Sequence, residues 1–388
     1  SDVCSSDLNK ISLSYWEEKA WFSLSDVTIV GAGIVGLCSA IEIKRKNPKA
    51  TVRIFEAGTI PAGATTRNAG FACFGSLGEL YDDLQNRSMG EVIRLVKLRH
   101  DGLKNLRNII GDKAMNYSPC GNYELFSHPD EDYYHKVISI LPEMNMALKN
   151  IGLPETYSPT DSKISEFGFA KTSHLILNRH EGMLDSGLLY KSLLKICHQL
   201  GIELLFNLKI LGFESDGNRV QLFIDKMSKP VPTRNLLICN NGFAAQLLPE
   251  LDVKPARGQV LVTKPLECKF NAAFHHNKGY NYFRNLDGRI LLGGGRNLDF
   301  QTETTTELSI NNMIQDYLEH LLAEVILPNE KVEIEYRWAG IMGVGDAKNP
   351  IIKELSPHVF CAVRMGGMGV AIGSMCGLKA AELVSAHF

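Results

Sequence analysis

A chain of 388 residues with 45% hydrophobic side chains can bury a core large enough for two or three domains. Lys and Arg number 41 against 43 Asp and Glu, a formal charge of −2, and no long basic run appears, so a nucleic-acid partner is not expected. The nine cysteines are scattered, odd in number and form no Cys-x-x-Cys pair, which favours free thiols in a reducing cytoplasm over a disulfide framework or structural zinc.

Ser1–Leu8 is polar and patternless and reads as adapter sequence from cloning or sequencing, outside the fold. No basic segment followed by an apolar one opens the chain, so secretion is not expected. No apolar run is long enough to span a bilayer; Met365–Leu378, the most apolar stretch, is broken by five glycines.

SYWEEKAWF reads as a short amphipathic lead-in. Val27–Val30 then reads as a buried strand, Ile34–Arg45 as a helix and Thr51–Glu56 as a second, parallel strand, a βαβ unit. A glycine-rich loop covers Gly63–Ser76. Helical patterns follow over Leu77–Ile110, interrupted near Asn86, and over Asp130–Ile151; between them GNYELFS alternates like an edge strand. A helix starting at Asp185 or Ser186 ends at Gly201. Strands in IELLF and VQLFID, then a strand and tight turn in NLLICNNGFA, form a second βα block that belongs with the first. RGQVLVTK and GYNYFRNLDGRILLGGG are β-rich, the latter a hairpin turning at Asp287-Gly288. A helix over Thr306–Leu327, the segment EIEYRWAGIMGVGD, and VFCAVRMGGMGVAIG running into a C-terminal helix complete the chain. The pattern is two interleaved domains, each visited more than once.

Gly31, Gly33 and Gly36 form GxGxxG directly after a strand and at a helix start. The first glycine permits the tight turn, the second lets backbone approach a pyrophosphate, and the third lets helix and strand pack closely. A diphosphate would sit on the helix N-terminus, with Ile34 and Val35 in its first turn. Glu56 ends the second strand, with Ala57 after it, at the place where an acid accepts hydrogen bonds from a ribose 2′-hydroxyl. These residues do not separate NAD from FAD. GATTRNAG is either a further contact with an extended ligand or a loop with two helix-capping threonines. VRMGGMGVAIGS is either a helix N-terminus placed near a flavin's N1–C2=O edge or a glycine-rich start that only allows close packing.

With DVTIVGAGIVGL, FEAG, GATTRNAGF, EGMLDSGLL, CNNGFAAQLLPEL, RGQVL, YFR…GRILLGG, YRWAGIMG and GGMGVAIG in this order, the sequence resembles the D-amino-acid oxidase (DAO) family of FAD-dependent oxidoreductases. The resemblance runs from about Ser14 to Ala386. It implies an α/β fold in which a Rossmann-like FAD-binding domain (25–78, 165–247 and 337–388) interleaves with an α+β substrate domain on a mostly antiparallel sheet (79–164 and 248–336), after a lead-in of 1–24. It further implies that Gly31, Gly33 and Gly36 hold the FAD diphosphate and Glu56 the ribose. Ile210 is similar to the position whose backbone meets adenine. Ala64, Thr65, Thr66, Asn68 and Gly70 resemble the loop along the pyrophosphate and flavin edge, and Gly367, Met368, Gly369 and Val370 the segment under the flavin carbonyl. The turn at Asn241 and Gly242, with SYWE, leans toward γ-glutamylputrescine-oxidase-like members.

Departures from the family pattern shape the expectations. No cysteine stands near Trp338 or Ala339 and no histidine near Arg67, so the FAD is expected to be dissociable. Leu291 occupies the place of an oxygen-activating lysine, leaving open a dehydrogenase with an acceptor other than O2. The carboxylate anchors of different branches fall near Met342, Gly367 and Ala371, none of them basic, and Arg364 stands where glycine is usual.

The implied reaction is hydride transfer from the carbon bearing an amine to flavin N5, followed by hydrolysis of the imine. The substrate is a γ-glutamylputrescine-like amine or a small amino acid. Tyr280, Tyr282 and Arg284 alternate along one strand and so share a face, on which the guanidinium could hold a carboxylate. Arg364 is a second candidate anchor, with a structural role in the C-terminal loop as its alternative. Trp338 reads as a large core residue or a pocket wall. His180 and Glu181 are adjacent, point apart and form no catalytic pair; His180 is expected at the surface, and His275 and His276 in an exposed turn. Asp82/Asp83, Asp130–Asp132 and Glu17/Glu18 read as solvated faces or helix-start acids. No metal constellation emerges. The competing readings are an NAD-dependent dehydrogenase, a D-amino-acid dehydrogenase, a tRNA-modification oxidase module and a non-catalytic flavin protein; homo-oligomerisation is left open. If the substrate amine must bind neutral, kcat/KM should rise with pH through its ionisation, and a profile flat across that range would count against the reading.

Overall fold

The computed structural model describes residues 11–328 and 330–388, so Ser1–Leu8 lies outside the described residues. Ser14 caps helix α1 (Tyr15–Trp21) through a reciprocal pair with Glu17; no residue of that helix is buried, and the lead-in meets the core only through Phe22, which packs against Phe55. Strand β1 (Ser25–Val30), helix α2 (Ile34–Lys46) and strand β2 (Val52–Phe55) form the expected βαβ unit, with Val27 opposite Val52 in parallel register. The glycine-rich loop contains a short helix α3 (Ala64–Arg67) and strand β3 (Phe71–Ala72). Helices α4 (Leu77–Leu84) and α5 (Met89–Ile110) separate where Ser88 and Glu91 cap the second.

Strand β4 (Asn122–Ser127) precedes α6 (Glu131–Ser139) and α7 (Leu141–Lys149), which break where Pro142 falls in the first turn of α7. Strand β5 (Tyr157–Pro159), helix α8 (Ile164–Phe167), β6 (Thr172–Asn178) and β7 (Gly182–Met183) follow. Asp185 caps α9 (Ser186–Gln199), its carboxylate accepting from the Leu188 N–H at 2.8 Å. Strands β8 (Glu203–Leu205), β9 (Ile210–Ser215), β10 (Val220–Ile224), β11 (Val231–Ile238), β12 (Lys254–Thr263) and β13 (Ala273–His276) come next. Strands β14 (Asn281–Leu286) and β15 (Arg289–Gly294) turn through Asp287 (φ 51°) and Gly288 (φ 74°), as the dipeptide predicted. Helix α10 (Asn312–Leu321) starts later than expected because Asn311 caps Met313 N–H and reaches the buried Glu303 with its amide, holding the preceding segment out of the helix. Strands β16 (Ile334–Val344), β17 (Ile351–Ser356), β18 (Val359–Val363) and helix α11 (Gly369–Ser385) close the chain.

The chain divides into two compact units, Ser1–Thr66 with Tyr190–Pro255 and Met342–Phe388, and Arg67–Leu189 with Ala256–Ile341. Residues 67–78 and 165–189, expected with the nucleotide domain, pack in the second unit because β6 pairs with β4 and β3 with β7. In the first unit the sheet order is β17-β18-β11-β1-β2-β8, parallel from β18 to β8. Helices α2 and α11 lie side by side. A Cβ on Gly373 would stand 2.7 Å from Ile34, and one on Gly377 would stand 2.7 Å from Cys38 Cβ and 2.9 Å from Ser39 N. Both contacts advance by one turn together, so the two helices run parallel.

In the second unit the order is β16-β12-β15-β14-β13-β4-β6-β5. Strand β4 is therefore interior, paired parallel with β13 and antiparallel with β6, not at an edge. Alternation gives this sheet two faces. Leu125, Leu175, Leu261, Phe274, Phe283 and Leu292 face an apolar core shared with Ile314 and Leu318 of α10. The opposite side chains include Asn122, Glu124, His275, Tyr282 and Arg284. His275 and His276, expected in an exposed turn, are buried on β13, and Asp83, expected on a solvated face, is buried too. Replacing Gly377 with alanine should force α2 and α11 apart and cost about 1–3 kcal/mol, read as a lowered denaturation midpoint with unchanged slope.

Candidate active site

The carboxyl ends of parallel strands are where open α/β sheets bind ligands. In the first unit, β1 ends at Gly31, whose φ of 102° and 3.0 Å spacing from its Cβ position to Cys239 O admit only glycine. A Cβ on Gly36 would collide with Gly31 O, so α2 can begin against β1 only without one. Gly33 caps α2 without a side chain; the Ile34 N–H is instead satisfied by Thr65 Oγ1 at 2.9 Å, while Val35 packs in the core. Thr65 thus caps a helix, as one of the two readings of its loop held. Thr66 Oγ1 donates to Pro61 O at 2.6 Å, and Ala64 opens α3.

At the end of β2, Glu56 accepts from Ala32 N–H at 2.9 Å and from Gly58 N–H at 3.0 Å, folding its carboxylate across the glycine turn with Ala57 beside it. Ile210, at the start of β9, belongs to the same buried apolar cluster as Val30 and Phe55 at the ends of β1 and β2. After β11, Asn241 (φ 44°) accepts from Met365 N–H at 3.1 Å, with Gly242 buried beside it. A Cβ on Gly343 would stand 2.7 Å from Asn241 Oδ1, and Gly343 O accepts from Gly366 N–H at 2.9 Å. Met368 caps α11, which Gly369 and Val370 begin. A Cβ on Gly367 would meet no described atom within 4 Å, so this backbone is open to a ligand. Since Gly373 meets Ile34 and the helices are parallel, the positive ends of α2 and α11 lie together.

Arg364 does not present a free guanidinium there. It sits at φ 66°, donates from Nε to Asn349 O at 2.9 Å and from Nη1 to Asp252 Oδ2 at 2.7 Å. Its charge is consumed in holding the C-terminal loop, the structural alternative of the two.

In the second unit the loop from Arg67 to Gly70 is clamped by its neighbours. Arg67 Nη1 donates to Ala339 O and Trp338 Nε1 donates to Arg67 O, each at 2.9 Å, so Trp338 is a partly buried clamp. Asn68 Oδ1 accepts from Gly70 N–H at 2.8 Å and from Ser186 Oγ at 2.7 Å. Gly70 (φ 74°) accepts from Leu184 N–H, and Arg284 Nη1 donates to Gly70 O at 3.2 Å and Leu184 O at 2.9 Å. Burial lowers the pKa of Arg284. Tyr282 shares its face, packed on Gly293 and edge-on to Phe71 at 5.6 Å, and burial pushes its phenol up to about 12. Tyr280 does not join them: it precedes β14, is 42% exposed and leans on Phe300.

The same face carries groups that sequence reasoning set aside. Glu181 is 1% exposed; its Oε1 accepts from Phe74 N–H at 2.6 Å and Gly75 N–H at 2.9 Å, and burial raises its pKa to about 8. Glu124 Oε2 accepts from Gly78 N–H at 2.8 Å, and burial raises it to about 7. His275, opposite Glu124 on one side and Tyr282 on the other, is lowered to about 4 by burial. The polar alternation of Asn122 and Glu124 in NYELFS was the available signal. His180 is half-buried and hydrogen-bonded to Pro154 O at 2.9 Å.

Fold and site together define a two-unit flavoenzyme-type oxidoreductase. The DAO family, described as FAD dependent oxidoreductase, matches residues 26–383, and the chain belongs to it. It is 24% identical over 380 residues to a probable oxidoreductase, OrdL, of Rhizobium meliloti (strain 1021), covering 92% of this chain and 82% of that protein. Among solved structures it is similar to glycine oxidase from Geobacillus kaustophilus (TM-score 0.76, 20% identity, 94% and 95% of the two chains). It is also similar to L-proline dehydrogenase from P. horikoshii (TM-score 0.74, 17% identity, 94% of each). The protein is an FAD-dependent oxidoreductase. Among the described residues no helix is long and apolar enough to cross a membrane, and no group of three or more His, Cys, Asp or Glu is placed to hold a metal ion. Replacing Arg284 with methionine should leave Gly70 O and Leu184 O without their shared donor and cost about 1–3 kcal/mol in urea unfolding, with lysine restoring part of it.

Proposed function

We propose that the protein oxidises the C–N bond of a small amine or amino acid, with FAD held non-covalently. The observation that carries this is the pair of parallel helix N-termini, α2 and α11, each entered through a glycine turn, in a chain of an FAD-dependent family. The residues fit the cofactor: Gly31, Gly33, Ile34, Val35 and Gly36 would take the diphosphate, Glu56 and Ala57 the ribose, and Ile210 the adenine. Ala64, Thr65 and Thr66 would run along the pyrophosphate. Asn241, Gly242 and Gly367–Val370 would face the flavin carbonyl, where the α11 N-terminus favours negative charge. In the second unit Asn68 and Gly70 would take the flavin edge. No cysteine or histidine stands at Arg67, Trp338 or Ala339, which supports a dissociable cofactor.

Bound FAD supplies two-electron chemistry, accepting a hydride from the carbon beside the amine nitrogen. The chain supplies position and charge. Tyr282, held neutral at pH 7, can donate a hydrogen bond to substrate, and Arg284 sets the Gly70 backbone while bringing positive charge to the same face. Tyr280 and Arg364 take no part. The similarity to glycine oxidase and L-proline dehydrogenase supports an amino-acid or amine substrate, and the sequence likeness to γ-glutamylputrescine oxidases supports an amine conjugate. Leu291, buried with Ala69, Val260 and Val262, stands where sarcosine-oxidase-type members of the family carry an oxygen-activating lysine, which leaves a dehydrogenase with an acceptor other than O2 as the alternative. The eight described cysteines are free thiols, which fits a cytoplasmic location.

Purified protein should be yellow, and its flavin absorbance should bleach anaerobically on addition of one among D-amino acids, N-methyl amino acids and γ-glutamylated polyamines. Protein that stays colourless when FAD is added, or a flavin that no amine reduces, would overturn the reading. Reoxidation that is slow in air but fast with a dye acceptor would mark it as a dehydrogenase.

A further inference from the structure

The segment from Cys73 to Gly78 follows directly on the Arg67–Ala72 loop and is held almost wholly by buried polar side chains. Glu181 takes Phe74 and Gly75 N–H, Tyr157 and Asn178 donate to Gly75 O, and Arg99 donates to Phe74 O. Glu124 takes Gly78 N–H, and Tyr133 donates to Gly78 O. Each carboxyl has one oxygen committed in this way. Its other oxygen, Glu181 Oε2 or Glu124 Oε1, is buried without a hydrogen-bond partner, as are both amide atoms of Asn122 and Nδ1 of His275. All four residues line one interstice, which has no room for a water molecule.

Burial and the lack of a cation decide the protonation. With both acids ionised, the groups facing Glu181 Oε2 and Glu124 Oε1 are all neutral: the Asn122 amide, the Ser76 hydroxyl and the His275 imidazole. Two negative charges would then lie buried with no cation bonded to either. A proton on each acid turns two acceptors into hydroxyl donors, which Asn122 Oδ1 and His275 Nδ1 can accept. We propose that Glu181 and Glu124 are positioning residues, carried in the native fold as neutral carboxylic acids, that fix Cys73–Gly78 and through it the Arg67–Ala72 loop. The part of this that concerns the cofactor rests on the reading of that loop given above.

Of the charged groups facing the pair, the acids repel a negative charge and the arginine is already engaged; the neutral Ser76 and Asn122 side chains act the other way, lowering Glu124 and Glu181 respectively, but burial outweighs them. Glu79 and Asp82 of α4 repel a negative charge on the pair. Tyr157 of β5, Tyr133 of α6, and Cys73, Tyr117 and Cys120 are neutral neighbours whose own acidities the pair lowers. Arg99 of α5 is paired with Glu79. The sign follows from linkage: acids held above their unfolded pKa contribute stability that is complete below about pH 4.5 and is lost as pH rises to the folded values.

The test compares wild type, Glu181→Gln, Glu124→Gln and Glu181→Ala across pH 6 to 8.5, following Tm and the release of FAD by flavin fluorescence. Glutamine reproduces the neutral acid's acceptor and donor. The wild-type Tm should fall by about 4–8 °C over this range, with FAD release rising in step. Glu181→Gln should melt at or above wild type at pH 6 and lose much of both slopes, Glu124→Gln should lose part of them, and Glu181→Ala should melt low throughout. A Glu181→Gln profile superimposed on wild type, or one as low as Glu181→Ala at pH 6, overturns the neutral-acid assignment. Flattened melting with wild-type FAD release overturns the positioning role. Failure of the cofactor reading shows separately, as wild-type protein that takes up no FAD at any pH, and the melting comparison still decides the protonation.

Discussion

Helix α2 lies against β1 and α11 at distances that a single methyl group would prohibit. Gly36 brings the helix onto Gly31 O, and Gly373 and Gly377 let α11 settle on its other side. This close approach holds two helix N-termini side by side at the carboxyl ends of parallel strands, the feature on which the proposed cofactor reading rests. Partial positive charge at one helix start falls off within a turn. Two starts held in register extend it along a longer ligand. The packing and the electrostatics are therefore one feature.

The second unit meets a different constraint. Its sheet must bury one face against α10 while keeping chemistry on the other, and strict alternation achieves both. Phe274 and Phe283 stack in the core while their neighbours His275, Tyr282 and Arg284 point the opposite way. On that polar face the buried groups bond chiefly to loop backbone: Arg284 to Gly70 and Leu184, Glu181 to Phe74 and Gly75, Glu124 to Gly78. A loop so held keeps its carbonyls and N–H groups in place with little side-chain motion. That is what a site needs when the cofactor performs the reaction and the protein supplies geometry.

Legibility differed between these two features for a physical reason. The GxGxxG turn, the parallel strands on either side of it, the Asp185 cap and the Asp287-Gly288 hairpin are local patterns, each decided by backbone conformation within a few residues. Long-range pairing decided the rest. NYELFS alternates as an edge strand would, but β13 and β6 flank it and make Glu124 interior. His275 and His276 look like turn residues until β13 pairs on both sides. Arg364 looks like a substrate anchor until Asp252, 112 residues earlier, takes its charge.

By itself the sequence determined the dinucleotide turn and the α/β character, because these rest on short motifs and on periodicity that each segment carries within itself; FAD followed only from the resemblance of the whole series of motifs to one family. Tertiary structure alone decided which of Tyr280, Tyr282, Arg284 and Arg364 remain available for chemistry. It also decided that Glu124 and Glu181 are buried where neither a cation nor water reaches them. Availability and protonation depend on what stands within a few ångströms, and those neighbours come from strands and loops remote in the chain.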